Sequence, residues 1–362
     1  MFSYMKRIKL YFFILVLAGS SSCKNIEKEP VVKNIIFMIG DGMGVAQVQA
    51  AMKSSGEILN LEKAEVSGLC TTHSLTNKIT DSAAGGTALA TGYKTKNGMI
   101  GQDTTGQILK SILEYAEENG LSTGLISTSA ITHATPASFI AHQPKRNMTE
   151  SIAADFLKTD IEVFIGGGYN DFAIREDGLN LIDSLLLRGY DVDTTLTDVL
   201  ASNASKVAGL LAPEHLPSMI NGRGDMLPLA TSKALDVLSK NEKGFFLMVE
   251  GSQIDWGGHA NNAEYVITET LDFDRAIGVA LNFAQKNPGT LIVVTADHET
   301  GGLTLPAQEG KYNKTVTNFS TGGHSSVMVP VFSYGPGAVN FTGILDNTDF
   351  FFHFMNLFEF EE

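Results

Sequence analysis

The stretch Ile35-Ile36-Phe37-Met38-Ile39-Gly40-Asp41-Gly42-Met43-Gly44 decides how the rest of the chain is read. Five consecutive apolar residues predict a strand buried on both faces, and Asp41 would project from its end between glycines that leave room for a ligand. Gly40, Gly42 and Gly44 do not form the G-x-G-x-x-G spacing of a dinucleotide site, so that reading stays weak. Comparable strand-like runs recur at 124–126, 162–165, 245–249, 291–295 and 327–332. Between them lie helical patterns. Residues 107–119 carry the stripe Ile108, Ile112, Leu113 and Ala116 before a stop at Gly120, 180–188 ends at Gly189, and 263–287 offers Tyr265, Ile267, Leu271, Ile277 and Leu281 for a buried side. The alternation predicts an α/β fold, a three-layer α/β/α sandwich around a large, mostly parallel sheet.

Composition allows such a core. The 362 residues are 43% hydrophobic and 18% charged, with 36 glycines for tight turns and close ligand approach. The formal charge of -14 argues against nucleic acid as a partner, because phosphate-backbone binding needs clustered Lys and Arg. It does not exclude an anionic substrate, since bound cations dominate the electrostatics of their own site.

At the N-terminus Lys6, Arg7 and Lys9 precede an apolar run at 10–18 and small residues up to Cys23. That run is too short for a membrane span, which needs about 20 apolar residues, and reads as a signal peptide. Small residues before a cysteine resemble a bacterial lipoprotein signal, with Cys23 as the lipidated first residue. The expected organisation is a signal peptide over 1–22, a lipidated N-terminus and charged linker over 23–33, and one domain over 34–362. The protein is then exported, as a periplasmic or outer-membrane-associated lipoprotein held to the membrane only by its anchor. Cys70 is left without a disulfide partner and reads as a small buried hydrophobe.

The groups capable of chemistry fall just after the strand-like runs, where the crevice of an open α/β sheet lies. Asp81-Ser82 opens a small-residue segment that can be helical, placing Ser82 at an N-terminus where free N–H groups favour an alkoxide or a phosphate. Glu250, Asp255 and His259 fall within ten residues after the run at 245–249. Asp297-His298 follows 291–295, Thr321-Gly-Gly-His324 precedes the last run, and Thr132-His133-Ala-Thr135-Pro136 follows 124–126. Mixed imidazole and carboxylate sets suit Zn2+, whereas all-oxygen sets suit Mg2+. His73, His215 and His353 lack such neighbours and read as structural.

From 34 through His324 and on to the closing strand, the sequence resembles the alkaline phosphatase family. Asp81-Ser-Ala-Ala-Gly-Gly-Thr-Ala with Thr91-Gly, Val249-Glu-Gly, Ile254-Asp255, His259 and Thr295-Ala-Asp-His carry the resemblance, and their joint order is very specific. It implies a first zinc held by Asp255, His259 and His324, and a second held by Asp41, Asp297 and His298 with Ser82 as exchangeable ligand and nucleophile. It further implies a magnesium bridged by Asp41 and held by Thr135 and Glu250. Arg146 matches the arginine that grips the phosphate, a task suited to a guanidinium fork. His133 and Trp256 stand at positions that vary within the family; they are expected beside the substrate, His133 near the magnesium and Trp256 as a wall. The cofactors implied are two Zn2+ and one Mg2+.

The implied reaction is hydrolysis of a broad range of phosphate monoesters through a phosphoserine. A related diesterase or sulfatase is the nearest alternative, and an idle phosphate-binding lipoprotein a more distant one. The residues after Ser82 lack the Cys/Ser-x-Pro-x-Arg setting of sulfatases, and Thr135 with Glu250 completes a third site that diesterases usually lack. The short stretch between His298 and His324 implies a reduced crown-type insertion, leaving monomer and homodimer both open.

Overall fold

A computed structural model describes residues 30–307, 309–310 and 315–361 of the protein. The expected signal peptide, Cys23 and the expected linker as far as residue 29 lie outside the described residues.

Ten strands form the central sheet: β1 (Asn34–Gly40), β2 (Val66–Thr71), β3 (Ser122–Ala130), β4 (Val163–Gly167), β5 (Tyr190–Asp193), β6 (Lys206–Leu210), β7 (Phe245–Gly251), β8 (Thr290–Thr295), β9 (Val329–Tyr334) and β10 (Gly343–Asp346). Their order is β10-β2-β9-β8-β1-β7-β3-β4-β6-β5. Only β9 runs against its neighbours; the other pairings are parallel. β1, β7 and β8 are buried over nearly their whole length, as their unbroken apolar runs require between two helical layers.

Helices cover both faces: α1 (Val45–Ser55), α2 (Ser82–Thr91), α3 (Ile112–Glu118), α4 (Leu181–Leu187), α5 (Met226–Leu238), α6 (Gln253–His259), α7 (Ala263–Lys286) and α8 (Asp349–Leu357). Successive residues of β7 show the two faces directly, because side chains alternate along a strand. The Phe245 ring meets Phe283 of α7 at 5.7 Å, and the Phe246 ring meets Phe354 of α8 at 6.0 Å. Helix α7 packs with α1 and α5 on the first face, and α8 packs with α2 and α3 on the second. The second face holds an aromatic core in which Phe37 of β1 contacts Phe139, Phe350 and Phe354.

Two helical readings need correction. The helix expected over 107–119 begins at Ile112, because Ser111 and Glu114 form a capping box that starts it there. Ile108 is consequently 60% exposed instead of joining the stripe. On α7 the buried side is centred on Val266, Phe273, Ala276, Ile277 and Ala280, while Tyr265, Ile267, Leu271 and Leu281 are only partly covered. That side also contains Glu269, Asp272 and Asp274, charges that apolar periodicity cannot anticipate. They are paired instead: Arg223 donates to Glu269 and, at 2.7 Å, to Asp272, while Asp274 accepts from the backbone N–H groups of Asn60 and Leu61.

Candidate active site

Strands β8, β1, β7 and β3 are consecutive neighbours in the middle of the sheet and run in one direction, so their carboxyl ends reach the same edge. Ile39 of β1 is in register with Glu250 of β7 and with Thr295 of β8, and Ser127 of β3 faces Glu250 from the other side. The residues that follow therefore converge. Asp41 comes from β1, Glu250 and Asp255 from β7 and α6, Asp297 and His298 from β8, and His133 and Thr135 from β3. Close approach has a local requirement at Gly42, whose φ is +73° and where a Cβ would lie 2.7 Å from the Asp255 Cα.

Three groups of potential ligands result: Asp255, His259 and His324; Asp41, Asp297 and His298; and Asp41, Glu250 and His133. Within each, the candidate ligand atoms lie within 4.8 Å of one another, and Asp41 belongs to two. His324 arrives from a short strand, His324–Ser325, paired antiparallel with Glu299–Thr300 beyond β8. Its Nε2 is 3.2 Å from that of His259 and 3.6 Å from Asp255 Oδ1.

The hydrogen bonds around the imidazoles test whether metals fit. His259 Nδ1 donates to the Gly322 carbonyl at 2.7 Å, and His324 Nδ1 to the Thr80 carbonyl at 2.8 Å. Thr300 Oγ1 donates to Asp255, so its oxygen accepts from His298 Nδ1 at 3.2 Å. In all three histidines the proton is thereby fixed on Nδ1 and the Nε2 lone pair faces the carboxylates, the arrangement of a metal-ligating imidazole. Asp41 Oδ1, Asp297 Oδ2, Glu250 Oε1 and Thr135 Oγ1 are buried with no hydrogen-bond partner among the described residues. Such atoms are costly unless an ion or water satisfies them, and oxygens converging with imidazole lone pairs suit a cation. The donor set fits metal ions.

His133 is arranged the other way round. Arg146 can only donate, so the contact of its Nη2 with His133 Nε2 at 3.1 Å makes Nε2 the acceptor and places the ring proton on Nδ1. In this tautomer His133 offers a proton to the third group, not a lone pair.

The electrostatics agree. Burial pushes the Asp41 carboxyl well above the usual carboxylate range, and the charges of Asp297, Asp255 and Glu250 push it further. Burial likewise raises Asp297, and raises Glu250 to about 7 despite hydrogen bonds from Ser127 at 2.6 Å and Ser252 at 2.5 Å. Burial drives His298 and His133 well below the ordinary imidazole value, keeping both neutral. Crowded carboxylates that attract protons, beside imidazoles that refuse them, are short of positive charge.

Ser82 is the first residue of α2 and is buried. Its Oγ lies 3.3 Å from His298 Nε2 and 3.4 Å from Asp41 Oδ2. Asp81 caps the helix through Oδ1, which accepts from Ala84 N at 3.0 Å. Its Oδ2 accepts from Gly98 N at 3.0 Å and from Arg146 Nη1 at 3.1 Å. The capping residue thus also aims the arginine, a second task that its place before Ser82 does not reveal. Trp256, on α6, stands edge to face with His133 at 6.2 Å. Sequence reasoning missed Thr300, which orients Asp255 and His298, and the carbonyls of Thr80 and Gly322; a backbone acceptor leaves no sequence signal. All twelve residues singled out from the sequence lie at this one edge of the sheet.

An open α/β sheet that gathers potential metal ligands from four adjacent strand ends about a buried serine defines a metal-dependent hydrolase of the phosphoryl-transfer kind. Residues 32–319 match the family model described as alkaline phosphatase, and the chain belongs to that family. It is 35% identical to alkaline phosphatase 4 of Bacillus subtilis strain 168, over 91% of this chain and 89% of that one. It is 33% identical to the alkaline phosphatase of Escherichia coli K12, over 88% and 84% respectively. The structure of alkaline phosphatase from the Antarctic bacterium TAB5 superimposes with a TM-score of 0.89 at 42% identity, covering 92% of this chain and all of that one. A mutant of the TAB5 enzyme with one histidine replaced by aspartate carries magnesium in its M3 site. The chain is accordingly a phosphoric monoester hydrolase.

Proposed function

We propose that the protein hydrolyses a broad range of phosphate monoesters through a phosphoserine on Ser82, in a site holding two zinc ions and one magnesium ion. The carrying observation is the position of the Ser82 oxygen, within 3.4 Å of both Asp41 and His298 at the first turn of α2. Asp255, His259 and His324 would hold one zinc, and Asp41, Asp297 and His298 the other. Asp41, Glu250 and Thr135 would hold the magnesium. When bound, these ions lower the pKa of the serine hydroxyl and of water and offset charge on the reacting oxygens.

Arg146, aimed by Asp81, holds two phosphoryl oxygens through its fork. The Ser82 oxygen attacks phosphorus as its proton passes to solvent water, the ester P–O bond breaks, and the leaving oxygen takes a proton from water as the alcohol departs on the side of Asp255, His259 and His324. Water then attacks the phosphoserine from that same side, so two displacements retain configuration. His133 keeps Arg146 in place from Nε2 and presents its Nδ1 proton to the magnesium group, taking no place among the ligands. Recognition centred on the phosphoryl group leaves the alcohol loosely specified.

Ser82→Ala is expected to lower kcat by roughly 10³-fold or more and to abolish the covalent phosphoenzyme seen with labelled substrate. A labelled protein band that persists in the variant overturns the assignment. Turnover of an aryl diester or sulfate above that of the monoester overturns the substrate class.

Export as a lipoprotein anchored at Cys23 completes the reading, supported by the charged and apolar pattern of residues 6–18. Mass spectrometry of the mature N-terminus tests it, and an unmodified Cys23 in membrane fractions refutes it. Light scattering decides between monomer and homodimer.

A further inference from the structure

His215 was set apart from the chemistry by its sequence context, yet it stands in the wall of the site. Its ring meets Trp256 at 4.8 Å and 73°, and His133 at 5.7 Å and 86°. Trp256 in turn meets His133 at 87°. Three mutually edge-to-face rings therefore continue the line of Arg146 outward, from the phosphate grip through His133 to Trp256 and the exposed His215.

The outer end of this wall is firmly held. His215 Nδ1 accepts from the backbone N–H of Ala130, the last residue of β3, at 3.0 Å. The loop carrying it is strapped to the end of β4. Gly168 N donates to the carbonyls of Glu214 at 2.6 Å and Ala212 at 3.0 Å, and Asn170 N donates to Pro213 at 3.0 Å. Gly167 makes this approach possible, because a Cβ there would lie 2.0 Å from the Glu214 oxygen. Trp256 is held differently. It is only partly buried, and its indole N–H makes no hydrogen bond among the described residues, so its orientation rests on ring contacts. It directly follows Asp255, one of the groups facing the departing alcohol.

We propose that His133, Trp256 and His215 form a subsite for the alcohol part of planar, aromatic phosphomonoesters, such as aryl and nucleoside phosphates. Trp256 supplies the stacking surface and a free N–H donor. His215 is the positioning residue that holds the indole. A ring already fixed by its neighbours loses little freedom when another ring docks, whereas a flexible alkyl alcohol gains no stacking from it. The proposal rests on the monoesterase reading above and names the substrate class that this site favours.

Two measurements on the zinc- and magnesium-loaded enzyme test it. In Trp256→Leu, kcat/KM for phenyl phosphate is expected to fall about three- to tenfold more than kcat/KM for glycerol phosphate, mainly through KM. His215→Ala is expected to show the same selective loss in weaker form, and His215→Phe, which keeps the ring but not the acceptor for Ala130 N–H, to restore part of it. Trp256 is the only tryptophan in the chain, so its emission reports on the subsite alone. Phenylphosphonate is expected to change that emission where methylphosphonate does not, and His215→Ala to alter it without any ligand. Equal losses on the two substrates, equal responses to the two phosphonates, or unchanged emission in His215→Ala each overturn the subsite. Absence of any monoester turnover overturns the proposed function instead, while the phosphonate titration still decides whether the subsite exists.

Discussion

Asp81 illustrates how much one side chain can carry at the residue scale. One oxygen caps the helix that begins with Ser82, and the other fixes Arg146. Asp81→Ala is expected to weaken inhibition by inorganic phosphate about tenfold, the loss of one charge-assisted hydrogen bond, while Ser82 still becomes phosphorylated. A Ki unchanged within twofold sinks this coupling. His133 makes a second test. Its Nε2 is engaged by Arg146, so it cannot lend a lone pair to the third group without losing that contact. His133→Asp replaces a neutral donor by a carboxylate, whose charge attracts the cation, and is expected to raise magnesium affinity about tenfold, the size of effect that groups around a metal's ligands commonly have. Calorimetric titration of magnesium into zinc-loaded protein measures it, and a weaker isotherm for the variant refutes it.

At the scale of elements, α7 shows how a helix can bury charge without apolar periodicity. Arg223 lies between Glu269 and Asp272, all three side chains being essentially inaccessible to water, and Arg275 also donates to Asp272 at 2.7 Å. Removing one partner from a buried ionic cluster leaves the others uncompensated. Arg223→Met is therefore expected to destabilise the protein by about 3–5 kcal/mol in denaturant unfolding, while a properly metallated sample keeps its kcat. A loss below about 1 kcal/mol, the range of surface ion pairs, refutes the claim. Elements with a clear local signal behaved differently. The start of α3 is written in Ser111 and Glu114, whose capping box leaves the apolar Ile108 outside the helix.

For the whole molecule, the central sheet drives carboxylates together, and cations offset the cost. Glu250 has its pKa raised to about 7 by burial, so without metal the folded state binds its proton more tightly than the unfolded chain does. A carboxyl of this kind contributes stability below its unfolded pKa of about 4.3, and that contribution disappears as pH rises through about 7. Chelated protein is accordingly expected to lose melting temperature between pH 5 and 8, while metal-loaded protein, which keeps its charges paired, does not. Calorimetric scans of both forms across that range test this, and a gap that narrows with rising pH is the contrary result. Activity should return on adding zinc and magnesium.

The sequence by itself determined the strand cores and the residue types available at their ends for chemistry. The run at 35–39 fits a strand covered on both faces, and Asp41, Ser82, Asp297 and His298, each open to a structural role when taken singly, stood out through the joint order of their motifs. The order of strands, which makes β8, β1, β7 and β3 neighbours, was decided by the tertiary structure, because parallel pairing joins segments far apart in the chain. So was the task of each supporting group. The proton positions of His259 and His324 depend on backbone carbonyls, the buried side of α7 depends on Arg223, and His215 reaches Trp256 only because its loop folds back on the end of β4. A side chain's type can be read from one position, but the partner that sets its proton, charge or orientation exists only once distant segments meet.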